Sequence, residues 1–580
     1  MKLLLKFFGP YLGRFFVLLV MVCLMAAATL ALPDYMAAII NKGIVGRDQS
    51  VIWHTGGLMI LMALGAALAS SSVGWLASHI AAGFTRDVRA ALFAKVESFS
   101  LAEFNTFSTA SLITRTTNDA QQLLTVMTML LRMAMISPFL GVWAIIKAYH
   151  NAPSMTWIMG LAVGSLVAVI AVLFQIAVPK FKILQNLVDR LNLVSREILT
   201  GLRVIRAFNR EAVEEKKFDE ANAELTRVNL FVNRVLVIMQ PMMTLIMNLA
   251  SLAIIWYGAQ LIDLGKLQVG QMMAFIQYAM QAIFSFLMIT MVFIMAPRAL
   301  VSADRINEVL DTEASIKDPV QPVDVSARHG GRVEFDHVTF TYAGADHPVL
   351  HDLNFTAEPG ETTAIVGSTG SGKSTLINLI PRFYDVTEGT IRIDGVDIRQ
   401  LRLEDLYAKI GYVPQKGVLF SGTVESNLKY GAPLASDVEV REATRIAQAQ
   451  DFVEALGGQY QAEIAQGGTN VSGGQKQRLS IARAIIRQPE IYIFDDSFSA
   501  LDFTTDAKLR QALTVATKGR TVLVVASRIG TVLGADKILV VNEGRIVGQG
   551  THRELMKSCQ VYREIASSQL SEEELRKASV

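Results

Sequence analysis

The chain has 580 residues, of which 51% are hydrophobic and 18% charged, and its mean hydropathy is +0.36. It is too long for one ordinary domain and too apolar for a cytosolic enzyme. Its net charge of +2 gives no reason to expect a nucleic-acid partner, and its two cysteines do not form a disulfide framework.

The apolar excess lies in the first half of the chain, where six stretches are each near the ~20 residues that a membrane-spanning helix needs. They centre on residues 15–32, 57–79, 126–148, 156–178, 235–261 and 271–295. The first is longer than a typical secretory signal core, so we interpret it as a span. The sequence therefore predicts a six-span α-helical transmembrane domain over residues 1–300.

Lysine and arginine concentrate in two long connections between these spans, residues 80–122 and 179–234. The positive-inside bias places these connections and both termini in the cytoplasm. Both connections keep helical periodicity, so we predict long cytoplasmic helical extensions of the spans. Contact tips are expected near residues 106–110 and 209–214. The alternative is solvated loops, although long structureless loops are uncommon.

Polar amides occur inside the last two spans, which are also rich in methionine. They are Gln240, Asn248, Gln277 and Gln281. Such groups must face protein or water rather than lipid, so they indicate a bundle interior or a translocation path. The methionines suit a surface that adapts to varied apolar ligands, but they are equally ordinary as lipid-facing residues.

A soluble α/β domain is predicted over residues 333–567, between a linker at 301–332 and a tail at 568–580. In this domain the strand TTAIVG leads into GSTGSGKST and then into a helix, which is the context of a phosphate-binding loop. Lys373 is expected to reach the β- and γ-phosphates of a nucleotide, and Ser374 to offer its hydroxyl to Mg²⁺. The predicted phosphate-binding residues are Gly367, Ser368, Thr369, Gly370, Ser371, Gly372, Lys373, Ser374 and Thr375.

Two further segments complete the nucleotide-binding pattern. The apolar strand EIYIFDD ends near Asp495, the carboxylate expected on the Mg²⁺ side. The row VSGGQ opens a helix whose N-terminus would favour a phosphate, and it contains Ser472, Gly473, Gly474 and Gln475.

With VSGGQ added, the chain resembles the ATP-binding cassette (ABC) exporter half-transporters of the type IV fold, which work as dimers. The resemblance implies that Tyr342 stacks on adenine and that Gln415 joins Ser374 and Asp495 around Mg²⁺. It implies that Ser472–Gln475 close over the partner's ATP. It also implies a loop across the dimer interface formed by Ser499, Ala500, Leu501 and Asp502. ATP and Mg²⁺ are the implied cofactors.

The chain departs from that family at positions that matter for hydrolysis. Asp496 replaces the expected glutamate and is one methylene shorter, a displacement that can cost about 10²-fold in rate. Ser527 replaces a histidine that contacts the γ-phosphate, and serine cannot carry its positive charge. Gln466 stands where exporters commonly have glutamate. The first two changes fall in the site built on this chain's own phosphate loop, which is therefore expected to bind ATP and hydrolyse it poorly.

The sequence thus predicts one subunit of an ATP-driven exporter, similar to the degenerate-site subunit of heterodimeric bacterial multidrug exporters. Its expected setting is a bacterial plasma membrane with the nucleotide-binding domain in the cytoplasm. Its expected partner is a second half-transporter with a complete catalytic site, and its expected substrates are amphipathic or hydrophobic compounds. The alternatives are a homodimeric lipid or drug flippase in which Asp496 is the working base, a non-transporting ATP-gated regulator, and inward transport on the same fold.

Overall fold

The computed structural model describes residues 6–324 and 330–570. These residues form two units. One combines the chain up to Glu97 with Ala110–Thr312, and the other combines Ser98–Thr109 with the chain from Glu313 onward. A short segment that lies between two apolar helices in the sequence therefore folds with the second unit.

Helices alone build the described part of the first unit. In chain order the α-helices up to residue 312, of which α3 belongs to the second unit, are α1 (Leu12–Ala38), α2 (Gln49–Glu97), α3 (Leu101–Phe107), α4 (Thr109–Thr114), α5 (Ala120–Met129), α6 (Met135–Asn151), α7 (Thr156–Ala207), α8 (Glu211–Val237), α9 (Met239–Asp263) and α10 (Val269–Asp311).

Short 3₁₀ and π turns join several of these helices into continuous spans. Among the described residues, 6 helices are long and apolar enough to cross a membrane: Gly9–Val45, Gln49–Glu97, Thr109–Asn151, Pro153–Ala207, Glu211–Asp263 and Val269–Asp311. Each contains one of the six predicted stretches, so the six-span prediction is confirmed. The last span continues to Asp311, inside the stretch 301–332 that the sequence predicts to be a linker, of which residues 325–329 lie outside the described part.

The long connections are helical, as their periodicity predicts. The helix α7 runs for 52 residues and α8 for 27, and they are separated by a short break at Asn209. Asn209 has a φ of +50°, and Ser108, between α3 and α4, has a φ of +56°. Left-handed backbone interrupts a helix and is uncommon outside glycine. The two breaks fall within the predicted tips.

An ion pair joins α1 to α6 at Asp34, a residue just beyond the predicted first span of residues 15–32. Lys147 Nζ lies 2.6 Å from Asp34 Oδ2. The hydroxyl of Tyr278, a fully buried residue of α10, also donates to Asp34. Charged groups at membrane depth are tolerated when they pair with one another. The helix α1 continues past Pro33 and Asp34. Because Lys147 and Tyr278 both contact Asp34, the helices α1, α6 and α10 meet at its carboxylate.

We predict that Lys147→Met lowers the thermal unfolding temperature more than the double variant Asp34→Asn/Lys147→Met does. The single variant leaves the Asp34 carboxylate without its cation, whereas the double variant removes both charges. Because both side chains are partly exposed, we expect a coupling of about 1 kcal/mol in a double-mutant cycle. Thermal unfolding in lipid nanodiscs measures it. Lys217→Met, which breaks an exposed Lys217–Glu214 pair, is the matched control. Additive effects of the two substitutions would contradict the prediction.

The second unit is an α/β domain with two main sheets. Its strands are β1 (Val333–Phe340), β2 (Leu350–Ala357), β3 (Thr362–Val366), β4 (Glu388–Ile393), β5 (Val396–Asp397), β6 (Ile410–Val413), β7 (Gly422–Thr423), β8 (Glu463–Ile464), β9 (Ile491–Asp495), β10 (Thr521–Val525), β11 (Lys537–Asn542) and β12 (Arg545–Gly550).

The order of the larger sheet is β12-β11-β3-β10-β9-β6, and the four pairings from β11 to β6 are parallel. Every residue of β9 and β10 is buried, as expected for parallel strands covered on both faces. An antiparallel sheet of order β2-β1-β4-β5 packs with its own apolar cluster. The parallel register brings the carboxyl ends of β3, β10, β9 and β6 to one edge, and the loops at this edge carry the predicted site.

The helices of the second unit surround these sheets. After α3 they are α11 (Lys373–Leu379), α12 (Leu403–Lys409), α13 (Val424–Leu428), α14 (Asp437–Ile446), α15 (Gln450–Glu454), α16 (Gly473–Ile486), α17 (Phe503–Ala516), α18 (His552–Ser558) and α19 (Gln560–Gln569). The last helix reaches into the tail predicted at 568–580, of which residues 571–580 lie outside the described part.

Candidate functional site

The predicted phosphate loop is the turn between β3 and α11. Gly370 and Gly372 have φ values of +82° and +99°, a region that glycine enters without steric cost. A Cβ on Gly372 would lie 2.7 Å from the Leu350 side chain, so the position also lacks room. Lys373 folds back over the loop and its Nζ donates to the carbonyls of Gly367 (2.8 Å) and Ser368 (2.7 Å). Burial lowers the pKa of Lys373, while the nearby carboxylates of Asp496 and Asp495 oppose that shift.

The predicted metal ligands meet at the same edge of the sheet. Ser374 Oγ donates to Asp495 Oδ1 at 3.1 Å. Asp495 ends β9 and is 6% exposed, and burial raises the pKa of its carboxyl. Gln415 follows β6, which pairs in parallel with β9 up to Val413 and Phe494. A hydroxyl, a carboxylate and an amide oxygen are the hard donors that Mg²⁺ prefers, together with phosphate oxygens and water. These residues therefore fit the ion.

Asp496 and Ser527, two of the three residues at which the chain departs from the resembled pattern, contact each other. The backbone N–H of Ser527 donates to Asp496 Oδ1 at 3.2 Å. The parallel pairing of β9 and β10 aligns Asp495 with Val525, which places the residues that follow these strands side by side. Asp496 has a φ of +44°, a conformation in which aspartate is enriched among non-glycine residues. The Asp496 carboxylate thus accepts a hydrogen bond from the backbone at position 527.

Tyr342, the residue predicted to stack on adenine, lies beside the phosphate loop. Its hydroxyl is 2.9 Å from Thr375 Oγ1 at the start of α11. Its ring packs edge-on against Tyr384, with centroids 5.3 Å apart. Tyr384 in turn accepts a hydrogen bond from Asn105 Nδ2, in α3, at 3.1 Å. The sequence interpretation located a tip near α3 but could not find this contact, because it joins residues 279 positions apart.

The predicted signature residues begin α16. Ser472 and Gln475 form a capping box: the Ser472 N–H donates to Gln475 Oε1 at 2.8 Å, and the Gln475 N–H donates to Ser472 Oγ at 3.3 Å. A Cβ on Gly474 would lie 3.2 Å from the Ala500 carbonyl oxygen, so the helix start rests on the predicted interface loop. In that loop Ser499 Oγ donates to the Asp496 carbonyl at 2.8 Å, and Asp502 caps α17. The loop therefore contacts both the signature helix and the residue after Asp495.

Gln477 is a site residue that the sequence interpretation missed. Its side chain is 2% exposed and binds both sides of Gln415. Its Nε2 donates to the Pro414 carbonyl at 3.0 Å, and its Oε1 accepts from the Gly417 N–H at 2.9 Å. A polar residue on the inward face of α16 was the available signal. The residues that Gln477 contacts cannot be predicted from the sequence, because they lie 60 or more positions away.

Comparison with known proteins assigns both halves of the chain to ABC transporters. Family profiles for the ABC transporter transmembrane region and for the ABC transporter match residues 15–286 and 350–499. An uncharacterized ABC transporter ATP-binding protein of Mycobacterium tuberculosis is 42% identical over 579 residues, which is 98% of each chain. A Staphylococcus aureus protein provisionally named as a multidrug export ATP-binding/permease protein is 38% identical over 375 residues, 64% of each chain. A solved structure of a bacterial Atm1-family ABC exporter with ATP bound is similar at a TM-score of 0.80 and 27% identity, over 97% of this chain and 98% of that one.

Six apolar helices fused to a phosphate-loop α/β unit with a signature helix define a multi-pass membrane transport ATPase of the ABC exporter half-transporter class. The chain belongs to the ABC transporter family. A half-transporter works as a dimer, with a second copy or with another ABC subunit. The fold and the family that the sequence predicts are therefore confirmed.

We predict that Asp495→Asn raises the unfolding temperature of the nucleotide-free protein and removes the added stability that Mg²⁺-ATP gives. Since burial raises the Asp495 pKa, the ionised carboxylate costs stability at neutral pH, and this cost disappears as the pH falls through the raised pKa. Asparagine removes the cost but is a weaker Mg²⁺ ligand. Thermal unfolding with and without Mg²⁺-ATP measures both effects, with Asp437→Glu, at an exposed position, as control. A lower unfolding temperature without nucleotide would contradict the prediction.

Proposed function

We propose that this chain is the ATP-retaining subunit of a heterodimeric ABC exporter. Its own composite site binds Mg²⁺-ATP and hydrolyses it poorly, while its signature residues Ser472–Gln475 serve the ATP held by a catalytically complete partner. The observation that carries this proposal is the hydrogen bond from the Ser527 N–H to Asp496. It joins the two residues that replace the expected glutamate and histidine.

The geometry supports retention of ATP with weak hydrolysis. Ser374 contacts Asp495, and Lys373 is within electrostatic reach of Asp495, which supports binding of the phosphates and the metal on this side. On the other side, the Asp496 carboxylate is one methylene short and is held toward the Ser527 backbone. A misplacement near 1 Å is enough to cost about 10²-fold in rate. Ser527 also supplies no positive charge for the γ-phosphate.

The transport cycle that we propose is alternating access. ATP binding at both composite sites draws the two nucleotide-binding domains together, and the membrane helices turn from inward-open to outward-open. Hydrolysis, mainly at the partner's site, resets the cycle. Because coupling free energies are reciprocal, a transported compound that prefers one membrane state must also shift nucleotide occupancy.

The proposed substrates are amphipathic or hydrophobic compounds. Gln240, Asn248 and Gln277 are exposed on the surface of the single chain although they lie in membrane spans. Because polar side chains avoid lipid, this surface is expected to face water or another subunit. The name of the Staphylococcus aureus relative supports export of such compounds. The charge distribution supports a cytoplasmic location of both termini and of the nucleotide-binding domain. The bacterial relatives support a bacterial plasma membrane.

One observation favours a second candidate, a homodimeric flippase. Asp496 is still a carboxylate, and it directly follows Asp495 at the carboxyl end of β9, the position at which the family resemblance expects the general base. In that case the chain alone would hydrolyse ATP.

We predict that Asp496→Glu combined with Ser527→His raises ATP hydrolysis by the purified chain, without a partner, by about 10²-fold. The first substitution extends the carboxylate toward the attacking water, and the second restores a cation near the γ-phosphate. Each single substitution should give a smaller gain. Phosphate release in lipid nanodiscs measures the rate, and Asp437→Glu, at an exposed position, is the control. Fast hydrolysis by the unmodified chain that Asp496→Asn abolishes would instead establish the homodimeric candidate.

A further inference from the structure

The last described helix, α19, holds the segment that follows β10 through one side chain. Gln569 Oε1 accepts a hydrogen bond from the Ile529 N–H at 2.8 Å, and Gln569 Nε2 donates to the Ser527 carbonyl at 3.0 Å. One amide group therefore satisfies a donor and an acceptor that lie two residues apart. We call residues 527–529 the switch segment.

The connection continues from the switch segment to the ATP site. The Ser527 N–H donates to Asp496 Oδ1, while the Ser527 carbonyl accepts from Gln569. The peptide groups on both sides of Ser527 are thus bound, one by the site and one by α19. Residue 527 of this chain is a serine and not a histidine. The contact between the switch segment and Asp496 is therefore made by the backbone.

The helix α19 is itself fixed to the core. Tyr562 and Ala566 are fully buried in the same apolar cluster as Ile529. The Tyr562 hydroxyl is also 2.8 Å from His552 Nδ1 in α18. Gln569 is exposed, so it contributes its two hydrogen bonds rather than packing. A displacement of the end of α19 would therefore act on the switch segment through this amide.

We propose that Gln569 is a positioning residue for the ATP site of this chain. It holds the switch segment against the site and, through the Ser527 N–H, sets the position of the Asp496 carboxylate. The effect on nucleotide preference rests on the proposed function, because it assumes that the switch segment faces the γ-phosphate. The effect on the switch segment itself does not rest on the proposed function.

The test compares Gln569→Met with Gln560→Met in the full chain in lipid nanodiscs. Methionine keeps the length of glutamine and removes both hydrogen bonds. Gln560 lies on the same helix, and its Nε2 donates to Glu564 at 2.9 Å, away from the switch segment. Hydrogen exchange is measured on a peptide that covers residues 526–532, and affinities are measured for Mg²⁺-ATP and Mg²⁺-ADP. We expect Gln569→Met to speed exchange by about threefold to tenfold, the range of one net hydrogen bond, and Gln560→Met to leave it unchanged.

The ratio of ATP to ADP affinity separates positioning from a general loss of stability. We expect Gln569→Met to reduce that ratio by about threefold or more, whereas a merely destabilised fold would weaken both nucleotides alike. Unchanged exchange in Gln569→Met, or equal changes in both variants, would overturn the proposal. Faster exchange with an unchanged ratio would overturn the positioning of the ATP site. Rapid phosphate release by the unmodified chain would refute the impaired site and leave the exchange result to decide the role of Gln569.

Discussion

The parallel register of β3, β10, β9 and β6 is the constraint on which the nucleotide-binding unit depends. It brings four loops to one edge, so that the phosphate loop, Asp495 and Ser527, the second residue after β10, become neighbours although they are far apart in sequence. The Ser374–Asp495 and Ser527–Asp496 hydrogen bonds both follow from it. The same register buries the Asp495 carboxylate at the end of β9, and this burial raises its pKa.

Around that edge, side-chain amides fix the loops. Gln477 of the signature helix α16 binds Pro414 and Gly417, on either side of Gln415, and Asn105 binds Tyr384 beside Tyr342. The contacts of Ser499 and Gly474 place the interface loop between the signature helix and the site. The residues expected to bind this chain's ATP and the residues expected to bind a partner's ATP are therefore in contact through the interface loop.

The sequence predicts what depends on local order. A strand, a glycine loop and a helix identify the phosphate loop, and hydropathy over ~20 residues identifies the spans, because both signals lie within one short window. It does not predict contacts such as Asp34 with Lys147, since pairing in space has no local signature. The sequence also does not predict where the last helix ends. The helix α10 continues to Asp311, beyond the apolar region that marks a membrane crossing.

We propose that this chain binds ATP at its own site and turns it over poorly. The most direct measurement is single-turnover hydrolysis of Mg²⁺-ATP by the purified chain alone in lipid nanodiscs, with nucleotide binding measured on the same sample. We expect stoichiometric binding and a bound nucleotide that remains ATP over many minutes. Bound nucleotide that converts to ADP within seconds would contradict it.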